Sequence, residues 1–154
     1  MKTELSQKLS GMPLFADFTE EEISTLIDLS ESCSCKEGEI IVEQDSKGDA
    51  MFLLVDGSVK VSHRADDRKI DLAVLGTGDF FGEIALVDHG PRSADVVAAE
   101  DCTVLRIPQG AIFALAGVYP NAAFKFLIAV GRVLVRRMRF GNKKYIDSLL
   151  AMEN

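Results

Sequence analysis

The chain has 154 residues and a net charge of −7, enough for one sizeable hydrophobic core but short for two ordinary domains. Hydrophobic residues make up 47% of the sequence and charged residues 27%, which excludes a disordered or collagen-like chain. The longest apolar stretch, residues 126–135, contains Arg132 and is shorter than the roughly 20 residues of a membrane span. Residues 1–11 lack the apolar run of a signal peptide, so we expect a cytoplasmic protein with no membrane span.

Charge is divided unevenly along the chain. Residues 1–121 carry 22 acidic and 10 basic side chains, a net −12, whereas residues 122–154 carry 2 and 7, a net +5. The acidic body argues against nucleic-acid binding over the main surface, because contacts to phosphates supply most of that affinity. The basic tail still allows the interpretation that a smaller surface there binds nucleic acid. Alternatively, its basic side chains interact favourably with the negative, C-terminal end of a helix dipole and complement the charge of the acidic body.

The cysteine and histidine content argues against disulfides and metals. Cys33, Cys35 and Cys102 are an odd number without an export signal, so packed, reduced thiols are expected. A zinc site needs about four Cys or His ligands, which this region does not supply. His63 and His89 lie too far apart for the close histidine cluster of a cupin-type metalloenzyme, and we interpret both as surface turn residues.

Residues 1–32 have the spacing of short helices. Leu5, Leu9 and Met12 recur at helical intervals, and the run Thr19–Glu22 has the form of a capping box ahead of an apolar face. We therefore predict an N-terminal helical segment.

Residues 33–108 change to short runs of period two, which are typical of β-strands. Asp56-Gly57 is a two-residue hairpin signal, and residues 65–68 are predicted as a looser turn. Many short strands at close spacing indicate an antiparallel sandwich or barrel. The predicted strands are residues 39–43, 51–55, 58–63, 69–75, 93–99 and 102–107.

Residues 109–154 return to a helical pattern. One helix is predicted over Gln109–Val118, and a second from Asn121 to about Phe140, after the break at Pro120. The second helix is apolar on most sides between Phe124 and Val130, which predicts burial on more than one side. It could pack against both the β-body and a partner.

The stretch most informative about chemistry is residues 81–94, FGEIALVDHGPRSA. Gly82 permits a positive φ or a close backbone approach, and Glu83–Val87 could form one helical turn whose free N–H groups suit a phosphate. Arg92 is isolated from other basic residues, and a guanidinium held there costs on the order of several kcal/mol unless an anion answers it. These features favour an anion site, with Glu83 accepting from a donor such as a sugar hydroxyl. The alternative is that Glu83 and Arg92 pair with each other across a surface loop.

This stretch resembles the phosphate-binding cassette of cyclic nucleotide-binding domains. The cassette pattern is Phe-Gly-Glu, an aliphatic, Ala, two aliphatics, three variable residues, then Pro-Arg-(Ser/Ala/Thr)-Ala, and every defining position is filled. Residues 36–39, 48–52 and 56–61 resemble turns of the same family, so the likeness covers roughly residues 10–140. It implies a mainly β fold with flanking helices: an eight-stranded antiparallel β-roll, or jelly roll, with N-terminal helices and a C-terminal lid helix.

The resemblance also implies a ligand and its contacts. Gly82 and the backbone amides of Ile84 and Ala85 would meet the cyclic phosphate, Arg92 would pair with it, and Ser93 would add a hydroxyl contact.

The ribose and the base would be read by two further side chains. Glu83 would accept a hydrogen bond from the ribose 2′-hydroxyl. Arg132 is the only polar candidate near the middle of the lid helix, so we expect it to reach the purine. Because both adenine and guanine have acceptors for it, we expect only modest discrimination between cyclic AMP and cyclic GMP.

The implied function is a stand-alone regulatory domain that binds cyclic AMP or cyclic GMP without a metal and signals by moving its C-terminal helix. Only 14 residues follow Phe140, too few for the helix-turn-helix of transcription-factor members, so we expect no DNA-binding domain. The output would pass through a homodimer or another protein partner at that helix. No Ser or Cys lies in a recognisable nucleophile motif, so an enzyme is not expected. The alternative is a protein-interaction domain of the same fold that does not bind nucleotide.

Overall fold

The computed structural model describes residues 2–86 and 90–153, in which helices flank two antiparallel β-sheets. The N-terminal helices are α1, Lys2–Ser10, a 3-10 turn, Pro13–Phe15, and α2, Glu20–Asp28. Helix α2 starts with the predicted capping box, because the Thr19 hydroxyl accepts from the Glu22 amide at 3.2 Å and the Glu22 carboxylate accepts from the Thr19 amide at 2.8 Å. His89 and Val87 lie outside the described residues.

Two four-stranded sheets form the β-body, in the strand orders β1-β8-β3-β6 and β2-β7-β4-β5. Together they make the eight-stranded antiparallel roll that the resemblance implied. The strands β1 and β6 were not among the six predicted runs. In chain order the strands are β1 Glu31–Cys35, β2 Ile40–Val42, β3 Ala50–Asp56, β4 Ser58–Ala65, β5 Arg68–Gly76, β6 Phe80–Phe81, β7 Asp95–Ala98 and β8 Cys102–Pro108.

The two predicted turns exchange roles in the structure. Asp56-Gly57 does not close a hairpin, because β3 pairs with β6 and β8 while β4 pairs with β5 and β7. The turn instead carries the chain from one sheet to the other. Gly57 has φ +98°, and a Cβ there would lie 2.6 Å from the Cys102 Cβ, so only glycine fits. The tight hairpin is β4–β5, in which Ala65 pairs with Arg68 across Asp66-Asp67.

Hydrophobic side chains form two clusters, one on each side of the first sheet. The cluster between the two sheets includes Leu54, Val59, Phe81 and Val104. The other cluster lies between the first sheet and the helices, and it joins side chains such as Leu53 of the sheet to Phe126 of the C-terminal helix. One set of apolar contacts therefore holds the two sheets together, and a separate set holds the helices against the first sheet.

The C-terminal helices are α3, Gln109–Val118, as predicted, and α4, Pro120–Glu153. Helix α4 does not end near Phe140 as the sequence predicted. Gly141 costs about 1 kcal/mol of helix propensity, and the good helix formers that follow continue the helix. No helix within the two described ranges combines the length and hydropathy needed to span a bilayer.

The first turns of α4 are tied to the N-terminal helices by Lys125. Its Nζ lies 2.8 Å from a Glu22 carboxylate oxygen, donates to the Asp17 carbonyl at 2.8 Å, and sits over the Phe18 ring. Burial opposes ionisation of Glu22, but hydrogen bonds from Lys125 and Thr19 lower its pKa overall. This contact fixes the start of α4 on the body.

We expect Glu22→Gln to lower the free energy of unfolding by about 1–3 kcal/mol at pH 7, since the side chain keeps its capping role but loses its charge. Because the folded pKa of Glu22 lies below the ordinary 4.5, this stabilisation is present above pH 4.5 and is lost as the pH falls further. Urea denaturation at pH 7 and at low pH measures both effects. Exposed Glu21→Gln is the control, and an equal loss at the two pH values would contradict the account.

Candidate functional site

A cavity of about 280 Å³ opens between the second sheet and residues 81–85 and 90–94. Its wall on the sheet side is apolar, with Val61 of β4 and Leu75 of β5 among its residues, whereas Glu83, Arg92 and Arg137 are the charged groups that line it. The remaining lining residues are Val42, Ala73, Phe81, Gly82, Ile84, Ala85, Gly90, Pro91, Ser93, Ala94 and Val96. The structure thus brings together every predicted site residue except Arg132.

Gly82 is required by the shape of the cavity floor. Its φ is +73°, and a Cβ there would lie 2.8 Å from Nη1 of Arg92 and 3.3 Å from the carbonyl oxygen of Ala50. The chain then forms a 3-10 turn over Glu83–Leu86, in which the Ala85 amide donates to the Gly82 carbonyl at 3.2 Å. A larger residue at position 82 would displace the Arg92 guanidinium.

Arg92 is half-buried and is held by backbone carbonyls. Its Nη1 donates to the Gly82 carbonyl at 3.0 Å and its Nη2 to the Ala50 carbonyl at 2.8 Å. Burial lowers the pKa of Arg92, against the opposing fields of Asp49 and Glu83. Within residues 2–86 and 90–153 no carboxylate is within 4 Å of the guanidinium, so the alternative Glu83–Arg92 pair is not formed there. The guanidinium keeps further N–H donors for a ligand.

Glu83 faces the C-terminal helix instead of Arg92. Its side chain is 13% exposed, and Oε1 lies 3.7 Å from Nη1 of Arg137. Arg137 also donates to the Phe80 carbonyl at 2.9 Å and lies 4.6 Å from the centre of the Phe80 ring. Through Arg137, helix α4 contacts the cassette directly.

Arg132, the predicted base contact, does not line this cavity. Its exposed side chain borders a different cleft, between α4 and the segment Pro13–Phe18. Five residues along a helix rotate the side chain by roughly 140°, which separates Arg132 from Arg137. The spacing 126, 130, 133, 137 places Arg137 on the body-facing side of α4, and this was the sequence signal for it.

The far end of the cassette is held by main-chain bonds. The Arg92 amide donates to the Ser46 carbonyl at 2.7 Å, and the Asp45 amide donates to the Arg92 carbonyl at 2.8 Å. His63 lies in β4, and not in a turn as interpreted from the sequence, with Nδ1 2.9 Å from the carbonyl oxygen of Ser93. Ser93 therefore reaches the cavity from a fixed backbone.

Asp95 anchors the strand that follows the cassette. It accepts from the Gln44 amide at 2.7 Å and from Nε of Arg64 at 2.8 Å. The Gln44 amide is the main cause that lowers the pKa of Asp95, and Arg64 adds to it against the effect of burial.

Among the described residues no group of three or more potential metal ligands occurs.

The chain is similar in sequence to several known proteins. Residues 33–119 match the family model described as a cyclic nucleotide-binding domain. The chain is 37% identical over 90 residues to the "cAMP-dependent protein kinase type II regulatory subunit" of Drosophila melanogaster, covering 58% of this chain and 24% of that protein. It is 32% identical over 133 residues to the "Cyclic AMP receptor protein" of Thermus thermophilus, covering 85% of this chain and 59% of that protein. It thus spans less than two thirds of either relative.

The fold is also found in solved structures. A cyclic nucleotide-binding domain from Methylobacillus flagellatus superposes with a TM-score of 0.83 at 24% identity, covering 96% of this chain and 83% of that one.

Proposed function

We propose that this chain, which belongs to the cyclic nucleotide-binding domain family, binds a 3′,5′-cyclic nucleotide in the cavity beside residues 81–94. The observation that carries the proposal is the state of Arg92, which is half-buried, bonded to two backbone carbonyls and without a carboxylate partner in the described ranges. A cation in such a position is stabilised by an anion. A cyclic phosphate is a singly charged anion of the right kind, and the relatives named above carry cyclic AMP in their names.

The phosphate would lie between Arg92 and the turn that begins at Gly82. Ser93 lines the same region and would donate its hydroxyl. The amides of Ile84 and Ala85 are the proposed backbone donors, and the Ala85 amide would share or give up its 3.2 Å bond to the Gly82 carbonyl. The absence of a Cβ at Gly82 leaves the space for this approach.

The ribose and the base would occupy the more apolar part of the cavity. Glu83 is a largely buried carboxylate, so a ribose 2′-hydroxyl can donate to it with little competition from water. Val61, Ala73 and Leu75 form an apolar wall that any purine can contact. Because such a wall does not distinguish adenine from guanine, we propose weak selectivity between cyclic AMP and cyclic GMP.

The alternative function is a protein-interaction domain that keeps the fold without a nucleotide. Burial of Arg92 argues against it, since a guanidinium kept there without an anion lowers stability. The two functions differ in one observable. A domain that binds nucleotide is stabilised by it, by about 2.7 kcal/mol at a hundredfold excess over Kd.

Cyclic AMP and cyclic GMP should each raise the melting temperature of the full chain. Arg92→Ala should weaken binding at least about thirtyfold, and Arg92→Lys should recover only part, because a point charge does not replace a planar fork. Calorimetry measures the affinities. Arg106→Ala is the matched control, since Arg106 pairs with Asp49 and does not line the cavity. No stabilisation by either nucleotide at millimolar concentration would favour the interaction domain.

Helix α4 is proposed as the element that converts occupancy into a signal. Its start is fixed on the body by Lys125, and its middle reaches the cassette through Arg137. A nucleotide that bonds to Glu83 therefore also affects the contact between Glu83 and Arg137, which helps to position α4. The nucleotide can shift the helix only by as much as it prefers one helix position.

If Arg137 is the α4 side chain that faces the nucleotide, Arg137→Gln should weaken binding by about tenfold through the loss of a charged donor. Arg132→Gln, five residues away and outside the cavity, is the matched control and should bind as tightly as the wild type. Titration calorimetry on both variants decides between them. Weakening by the Arg132 substitution alone would restore the original assignment.

We also propose that α4 pairs with a second copy of the chain. Side chains spaced alternately four and three residues apart form one stripe along α4, the pattern of a coiled-coil seam. Asn142 occupies the single polar position of this stripe, which in parallel pairs fixes the register. Exposed fractions in the stripe reach 64% at Met138 and 83% at Met152. Its members are Phe124, Ile128, Gly131, Val135, Met138, Asn142, Tyr145, Leu149 and Met152.

Sedimentation velocity on the full chain should show a dimer. Leu149→Glu places a charge in the stripe and should give a monomer, because like charges would face each other across the seam. Lys143→Glu lies on another face of the same helix and should remain dimeric. A monomeric wild type, or equal effects of the two substitutions, would contradict this partner.

A further inference from the structure

Two cysteine thiols meet between the sheets, away from the cassette cavity. Cys35 ends strand β1 and Cys102 begins strand β8, and the two are direct partners in the antiparallel register of these strands. Both lie in the cluster between the sheets and are 6% and 5% exposed. Both are free thiols. The proposed nucleotide site uses neither of them.

The register selects this pair among the three cysteines. Direct partners in an antiparallel pair have Cα atoms roughly 4.5–5.5 Å apart, within the range of about 4.4–6.8 Å that a disulfide spans. Cys33 is opposite Val104, so it is a diagonal neighbour of Cys102 at roughly 7–8 Å, which is too far. Of the two cross-strand pairs that include Cys102, the Cys35–Cys102 pair alone can be bridged without moving the backbone.

The surroundings of the pair favour a bridge over a bulky adduct. A Cβ at Gly57 would lie 2.6 Å from the Cys102 Cβ, so the Gly57 backbone already closes over this residue. Burial, with the nearby Glu39 carboxylate and Cys102 thiol, raises the pKa of Cys35 to about 12. At neutral pH both residues therefore rest as thiols, and their oxidation needs a local opening. Strand β1 is the edge strand of its sheet, so it can open from β8 alone.

We propose that Cys35 and Cys102 are a redox-modification site that forms a disulfide on exposure to a peroxide. In an opened state, one thiolate attacks a peroxide oxygen, the O–O bond breaks, and one water leaves behind a sulfenic acid. The second thiol attacks this sulfur and releases the second water. Two thiols lose two electrons in all, and one hydrogen peroxide becomes two waters.

The bridge would close a covalent ring over residues 35–102, which contains β2 to β7 and the whole cassette. It would also attach the edge strand β1 to β8, which continues directly into α3. A cross-link over so long a segment restricts the unfolded chain and stabilises the folded one. Oxidation would thus stiffen the β-body independently of nucleotide binding.

The wild-type chain, treated with hydrogen peroxide without denaturant, should lose about 2 Da and keep one alkylatable thiol of three. Peptide mapping should join residue 35 to residue 102, and the melting temperature should rise by several degrees and fall back with dithiothreitol. Cys33→Ala should form the same bridge and keep no alkylatable thiol, whereas Cys102→Ala should form no bridge.

Three alkylatable thiols after treatment, a link that includes Cys33, or gains of oxygen without a link would overturn the proposal. Mapping of the wild type decides the outcome even where a cysteine variant fails to fold. The result is separable from nucleotide binding, because the treated protein can be titrated with cyclic AMP in the same experiment.

Discussion

The pair of hydrogen bonds from Arg92 to the carbonyls of Ala50 and Gly82 is the constraint on which the candidate site depends. It ties the cassette to strand β3 and aims a guanidinium along the cavity wall without neutralising it. Gly82 has a positive φ, and a Cβ at this position would lie 2.8 Å from Nη1 of the same guanidinium. One guanidinium thus links the backbone at Ala50 to the backbone at Gly82.

The C-terminal helix extends this arrangement beyond the β-body. Lys125 holds its first turns against Glu22 and Asp17, and Arg137 rests on Phe80 beside Glu83. The site and the helix therefore share Glu83, which no other charged side chain of the cavity contacts within the described ranges. A ligand that bonds to this carboxylate alters the energy of the helix contact, which is the requirement for coupling.

Much of the fold follows from local sequence patterns. The Thr19–Glu22 capping box, the helix Gln109–Val118 and six of the eight strands, all except β1 and β6, were predictable because each depends on residues close together in the chain. Strand β6 has two residues and gives no period to detect. Asp56-Gly57 has the chemistry of a hairpin but joins different sheets, since the pairing of β3 with β8 is decided by distant residues.

The site was predictable to the same extent. Gly82, Glu83 and Arg92 lie within eleven residues and carry a recognisable spacing, and the structure places them on one cavity. The contact from α4 depends on how the helix is rotated against the body, so the sequence favoured Arg132 while the structure brings Arg137 to the cavity. The buried side chains Phe126 and Val130 set that rotation, and counting from them would have identified Arg137.

A crystal structure of the full chain grown with cyclic AMP would test the central claim most directly. The account predicts a phosphate oxygen within about 3 Å of the Arg92 guanidinium, with the ribose 2′-oxygen at hydrogen-bond distance from Glu83. Nucleotide bound away from this cavity, or bound there with its phosphate remote from Arg92, would contradict it.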